Sequence, residues 1–241
     1  NMLGSNGNRI NNISFYSNDY AVFNIGNSYN NDISNIYSVS DLQFLDGLAL
    51  YNNRFSNITG FLGSITLSLA GSYNNNFTNF SFSNYSNSVI YLSSNSYGNR
   101  FFNGELSYNS KALRLDTAGS LNNFTNIIYS GNGIDLTKSG TDIVNQTYIV
   151  NSIMPGNYTI LDGGMIRLSI TNSTYGSINF FNGIYGSGSS FYGLSNSDIR
   201  IENNSVYVNS SQAGLNVSAN ITFYGIGDRG YGLPIIKKNG A

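Results

Sequence analysis

Apolar and polar residues alternate in short runs along most of the chain: GLALY (47–51), SITLS (64–68), VIYLS (89–93), ALRLD (112–116), GIDLT (133–137) and MIRLS (165–169). A period of two gives a strand one face to bury and one face for polar contacts. Proline occurs only at Pro155 and Pro234, so none of these runs loses a backbone donor. No segment carries an apolar stripe at 3.6-residue spacing, and the pattern predicts an all-β chain without long helices.

A second series runs in step with the first. The pattern Asn-x-(Phe/Ile)-x-Asn occurs at Asn31–Asn35, Asn53–Asn57, Asn75–Asn79, Asn99–Asn103 and Asn122–Asn126, with starts 22, 22, 24 and 23 residues apart. TDIVN from Thr141 and NNISF from Asn11 read as degenerate copies. A unit of this length, with two or three short strands, cannot bury its apolar face alone. Stacking successive units as coils of a solenoid solves this, because each strand pairs in parallel with its own copy. The expected interior stacks are Ile33, Phe55, Phe77, Phe101, Phe124 and Ile143, and Leu50, Leu67, Leu92, Leu115, Leu136 and Leu168. Asparagine suits the bends, since it tolerates left-handed backbone and its amide can bond the amides above and below. About ten coils would make a rod on the order of 45 Å long.

The segments NGIDLTKSGTDIVNQTYI and SVIYLSSNSYGNRFFNGELS resemble the repeats of the right-handed parallel β-helix superfamily. Pectate-lyase-like and NosD-like repeats, tailspikes and many microbial surface proteins share that architecture. The resemblance implies a right-handed parallel β-helix solenoid over residues 10–225, preceded by a cap or arm (1–9) and followed by an exit segment (226–241). The ending ANITFYGIGDRGYGLPIIKKNGA is similar to the last strand and departing tail of surface β-helix domains. After Val150 the spacing loosens: MIRLS follows GIDLT by 32 residues, which leaves room for an imperfect turn around Ile153–Asn157. GIYGSGSSFYGLSNS reads as a lateral loop, and DIRIENNSVYVNS and NVSANITFYG as further strands.

Composition narrows the chemistry. Eleven basic and twelve acidic residues among 241 provide no basic stripe for a nucleic acid. Without His or Cys, zinc sites and haem or iron–sulfur ligation through those residues are excluded, as are thiol nucleophiles and Ser-His-Asp triads. The lack of Cys does not distinguish oxidising from reducing compartments. No run approaches ~18 apolar residues, so no membrane-spanning helix is expected. The chain opens on Asn1 with no charged-then-apolar leader, and reads as a processed chain or a piece of a longer one.

Within the superfamily, polygalacturonase-like hydrolysis uses an adjacent Asp pair, a His and an Arg-x-Lys motif; this chain has none of them. Lyases of the pectate type use carboxylates around calcium and a basic residue, and only twelve carboxylates are present here. Aligning ALRLD with GIDLT sets Arg114 over Asp135, with Tyr91 one coil before, Arg167 further on and Arg200 beyond. Such a column could bind an acidic glycan, or Asp116 and Asp135 could ligate calcium. Equally, Arg114 and Asp135 could be an exposed ion pair worth ~0–1 kcal/mol. Tyr16, Tyr20, Tyr29, Tyr37, Tyr91, Tyr108, Tyr129, Tyr148, Tyr185 and Tyr192 could stack on sugars or a neighbouring subunit, or serve as ordinary strand residues.

Thirteen Asn-x-Ser/Thr sequons stand at Asn12, Asn57, Asn76, Asn79, Asn84, Asn123, Asn145, Asn157, Asn172, Asn203, Asn209, Asn216 and Asn220, where composition alone would give about eight. Glycosylation at several would imply export and would solubilise a chain with only 10% charged residues. The resulting expectation is an extracellular, cell-surface structural protein, not an enzyme. It would be a glycosylated filament or surface-layer subunit that needs no cofactor and associates with copies of itself. The alternatives are a carbohydrate-binding adhesin and a carbohydrate-active β-helix enzyme of lyase or tailspike type.

Overall fold

The computed structural model describes residues 2–17, 21–116, 122–138, 143–150, 157–160, 165–172, 174–185, 191–193, 198–211 and 215–226. Its strands are β1 (Met2–Leu3), β2 (Arg9–Tyr16), β3 (Ala21–Gly26), β4 (Asp32–Leu48), β5 (Arg54–Ala70), β6 (Asn76–Tyr85), β7 (Ser88–Ser93), β8 (Arg100–Ser107), β9 (Lys111–Leu115) and β10 (Asn122–Ser130). There follow β11 (Ile134–Lys138), β12 (Ile143–Val150), β13 (Asn157–Ile160), β14 (Met165–Asn172), β15 (Gly176–Tyr185), β16 (Phe191–Gly193), β17 (Ile199–Glu202), β18 (Ser205–Val208) and β19 (Asn220–Phe223). No helix occurs among the described residues.

The chain winds into a parallel β-solenoid. One face stacks β2, β4, β5, β6, β8, β10, β12 and β14, each in parallel with the next. A second stacks β3, the end of β4, the end of β5, then β7, β9, β11 and β13. In β4 and β5 a single strand of 17 residues turns two corners. Each corner is one left-handed residue, Asn57 (φ 54°) then Leu62 (φ 58°) in β5. Asparagine occupies the first corner in six successive coils, Asn12, Asn35, Asn57, Asn79, Asn103 and Asn126, because its short polar side chain adopts this conformation at least cost after glycine.

Register stacks like on like. Ile33, Phe55, Phe77, Phe101 and Phe124 form one column. Their side chains are buried, and the phenyl rings lie 4.5–4.8 Å apart and within 5° of parallel. Such pairs add about 0.5–1.5 kcal/mol each beyond the area they bury.

Beside them a ladder of amides runs through the interior. Asn8, Asn31, Asn53, Asn75 and Asn99 each donate an Nδ2–H to the Oδ1 of the next, ending at Asn122, at 2.9–3.1 Å, and five complete turns lie between its ends. Each Oδ1 also accepts the backbone N–H of the preceding rung. The second Nδ2–H of Asn31, Asn53, Asn75, Asn99 and Asn122 reaches a backbone carbonyl of the preceding coil. A buried amide with all these partners meets the cost of its burial. Asn109 and Asn132 begin a shorter ladder of the same kind at another corner.

Several expectations are corrected by the register. NNISF at Asn11 is out of step: Arg9 pairs with Asp32, so NRINN (8–12) is the true first copy. Ile143 does not continue the phenyl column, since Gln146 lies in register with Phe124 and Ile143 with Met165. The leucine stack divides into two columns. One runs Leu45, Leu67, Ile90, Leu113, Leu136; the other runs Leu69, Leu92, Leu115. MIRLS lies on β14 of the first face, and β13, a run too short to show alternation, extends the second.

The ten expected coils are not reached. Parallel winding stops at β14, on which β15 and then β19 pair antiparallel. DIRIENNSVYVNS closes on itself as the antiparallel hairpin β17–β18 across a two-residue Asn203–Asn204 loop. Of the expected lateral loop, 183–185 extends β15 and 191–193 forms β16, while 186–190 and 194–197 lie outside the described residues. The same holds for Asn1 of the expected cap and 227–241 of the expected exit segment.

Two outcomes follow for stability. Asn75→Ala removes partners from buried groups on both neighbouring coils and is expected to destabilise by about 2–5 kcal/mol in urea titration. Asn79→Gly, which keeps the left-handed corner and removes only an exposed amide, should cost under about 1 kcal/mol. Tyr85 is buried and its phenol is pushed up to about 12. An unfolded tyrosine ionises near ~10. Its contribution is therefore intact below pH ~10 and is lost as pH rises from there toward 12. Melting curves of Tyr85→Phe against the native chain should converge across that window.

Candidate functional site

The first corner creates an outward-facing groove. The corner asparagine and the residue two positions after it face outward, with a buried side chain between them, so stacked coils raise two parallel walls along the axis. One wall is the outer asparagine column. Asn35 donates from Nδ2 to Asn11 Oδ1 (2.8 Å), Asn57 to Asn35 (2.9 Å), Asn79 to Asn57 (3.2 Å), Asn103 to Asn79 (3.4 Å) and Asn126 to Asn103 (3.1 Å). These bonds run toward the N-terminal coil, opposite in direction to the interior ladder. The facing wall is the register column Tyr37, Thr59, Ser81, Glu105 and Ile128. Phe80, Gly104 and Ile127 lie at the base of a groove of ≈ 770 Å³.

The base carries a local exchange of volume. Its column reads Ile36, Ile58, Phe80, Gly104, Ile127. A Cβ at Gly104 would fall 2.2 Å from the Phe80 ring. The large side chain occupies the space that the next coil leaves open, so glycine is required there by contact and not by backbone conformation. Among the described residues lining the groove, Glu105 is the one carboxylate, and no Lys or Arg is among them.

The sequence-predicted arginine column is not formed as expected. Tyr91 and Arg114 are in register, and the Arg114 guanidinium carbon sits 4.8 Å above the Tyr91 ring centre. Thr137, not Asp135, lies beneath Arg114, because the strands align two residues away from the ALRLD–GIDLT match. Asp135 is buried and accepts from Asn132 Nδ2 at 3.0 Å. Arg114 pairs with Asp116, the residue that follows β9 (2.5 Å), and that carboxylate raises the guanidinium pKa further. Arg167 lies on the other face, in register with Asn145, and Arg200 covers Tyr207 within the hairpin. Among the described residues no group of three or more Asp or Glu side chains converges.

Of the tyrosine column that forms, Tyr29 was among the expected residues, while the ring-stacked Tyr51, Tyr73 and Tyr97 were not. Tyr29, Tyr51, Tyr73 and Tyr97 bridge successive coils; the Tyr51–Tyr73 rings are 4.1 Å apart and the Tyr73–Tyr97 rings 5.0 Å. The signal was present as Tyr two residues before each repeat Asn, in SYNND, LYNNR, SYNNN and SYGNR. Of the expected set, Tyr16, Tyr29, Tyr37 and Tyr108 are exposed, Tyr91 is half-buried and Tyr129 is buried. Tyr20 and the side chains of Tyr148, Tyr185 and Tyr192 lie outside the described residues.

The sequons sort by environment. Asn172 is buried, with Oδ1 accepting the backbone N–H groups of Thr174 and Tyr175. Asn76 and Asn123 are half-buried, and Asn123 accepts from Thr125, the third residue of its own sequon. Asn57 and Asn79 belong to the outer column, and Asn209 bonds Asp198. Asn12, Asn84, Asn203, Asn216 and Asn220 are exposed. The side chains of Asn145 and Asn157 lie outside the described residues.

Comparison with protein-family models, curated proteins and solved structures finds no match. Glycopeptide mapping of the chain from a host that glycosylates sequons should find sugar at the exposed five and none at Asn172 or Asn76. A glycan on Asn172 would contradict the native packing.

Proposed function

We propose that this chain is an extracellular structural protein: a glycosylated β-solenoid of a cell-surface, filament or surface-layer assembly that associates with copies of itself. The observation that carries the reading is the use of its polar residues. The interior ladder binds each coil to the next through amides that a mobile catalytic group could not share. The aromatic columns reinforce the same axis. A stiff scaffold with few charged groups and a repeating Asn/Ser/Thr/Tyr surface suits a load-bearing or space-filling part.

Single-residue left-handed corners, stacked phenyl rings and amide ladders also support kinship with the right-handed parallel β-helix superfamily, whose members include microbial surface proteins. Self-association is supported by the apolar side chains Leu42, Leu48, Phe61 and Leu62, which the coils leave exposed and which a second copy could cover. Light scattering of the full chain across a concentration series, with electron micrographs of the same sample, tests the proposal. Rods or sheets heavier than the 26.2 kDa chain are expected. A strictly monomeric chain at millimolar concentration would overturn it.

A further inference from the structure

We infer that an apolar ridge along the second corner of β2, β4 and β5 pairs two copies of this chain side by side about a two-fold axis. The inference rests on the self-association reading and names the surface that carries it. The ridge is continuous. The Tyr16 and Tyr37 rings lie 6.1 Å apart, Tyr16 is in register with Val39, and Val39 with Phe61. Leu62, next to Phe61, lines a shallow depression of ≈ 420 Å³ together with Leu42. Tyr16, Tyr37, Leu42, Phe61 and Leu62 are each between 37% and 64% exposed.

Leu62 is the anomaly that points to a contact. Its φ of 58° is one that bulky L residues adopt at a cost, and the neighbouring coils place Ser40 and Asn84 at the same corner. Tyr108, two coils on, shares the strain, but its ring packs over Gly131, where an added Cβ would meet it at 2.7 Å. Leu62 faces Asn84 instead of such a recess and leaves 43% of its surface in water. Strain of this kind persists where it serves a site. Nor does the coil itself demand an apolar ridge, since Ser83 and Ser107 follow Phe61 in register.

The patch exposes on the order of 500 Å² of largely apolar side chain, toward the upper end for one patch on a monomer. A standard interface takes about 800 Å² from each partner. Ser40, Ser64, Ser83 and Ser86 border the apolar centre and supply a polar rim for the remainder.

Charge selects a second copy as the occupant. Of the residues lining the depression, Asp41 is the one carboxylate, and it is buried, accepting from the Ser38 hydroxyl. Identical surfaces therefore meet on the ridge without repulsion. The first face differs: its outward column runs Arg9, Asp32, Arg54, Asn76, Arg100, with all three arginines exposed. Two copies joined there would set three arginines and one aspartate against the same set. A contact made by one patch on both protomers closes as a dimer, the unit from which a larger assembly is built. The sequon at Asn84 borders the ridge one coil on, so sugar there would hold two protomers apart.

Sedimentation equilibrium of the full chain, made without glycosylation, measures the dimer constant. Leu62→Asn puts a residue suited to the left-handed corner in place of a strained one. It should raise the dissociation constant at least about tenfold while melting at or above the native temperature, a combination that a purely structural role for Leu62 would not give. Phe61→Ser, the residue at that level in the next coil, should weaken pairing as much and keep the native circular dichroism spectrum. Leu48→Ser alters an exposed leucine at the far end of β4 and should pair as the native chain does. Because the chain has no Cys, Ser40→Cys treated with a short bis-maleimide should give covalent dimers, and Leu48→Cys should not. Chain carrying a glycan on Asn84 should pair at least about tenfold more weakly. If the native chain pairs but Leu62→Asn and Phe61→Ser pair as tightly, or the Asn84 glycan leaves pairing undiminished, the contact lies elsewhere; this inference is then overturned while self-association stands. A native chain that is monomeric at millimolar concentration overturns both.

Discussion

The structure depends on one constraint: each side chain must pack against its own counterpart one coil away, at the fixed spacing of hydrogen-bonded strands. Not every side chain tolerates a copy of itself at ~4.8 Å on both sides. Flat rings do, by stacking, as in Phe55–Phe77–Phe101–Phe124. Primary amides do, because one molecule holds both a donor and an acceptor, as in Asn31–Asn53–Asn75–Asn99. Charged groups do not, since identical charges would be stacked. That explains why this chain is charge-poor yet not especially apolar.

The same constraint accounts for the irregularities. Where a column changes residue, its neighbours compensate across the coil boundary. Phe80 extends over Gly104, and the Tyr85 phenol occupies space beside Gly60 and Gly63, where a Cβ would meet it at 2.4–2.5 Å. Leu50 interrupts the serine series of Ser28, Ser72 and Ser96, and its backbone N–H still donates to Ser72 Oγ at 3.0 Å. The parallel stack gives way at β14 to antiparallel β15 and β19.

Function follows from the same repetition. A surface built of equivalent rungs presents a linear array and not a single convergent pocket, which favours partners that are themselves repetitive. Among the described residues the register spreads like groups along a line. The asparagine groove, parallel to the axis, is one expression of this geometry.

The repeat, its length near 22 residues, the all-β character and the phenyl column were legible in the chain because each rests on spacing alone. Local patterning also disclosed that asparagine sits at the corners. It did not disclose that the two asparagines of each motif part company. The first, as Asn75, turns inward and is buried; the second, as Asn79, adopts left-handed backbone and faces solvent. Nor could it settle alignment where spacing varies. A two-residue offset separates Arg114 over Asp135 from Arg114 over Thr137, and both preserve the alternation. Interior contacts between coils choose between such registers, since they decide which apolar column stays continuous. For the same reason the groove emerged only in three dimensions. Its walls come from residues two positions apart in each coil, and its length comes from coils brought together by stacking.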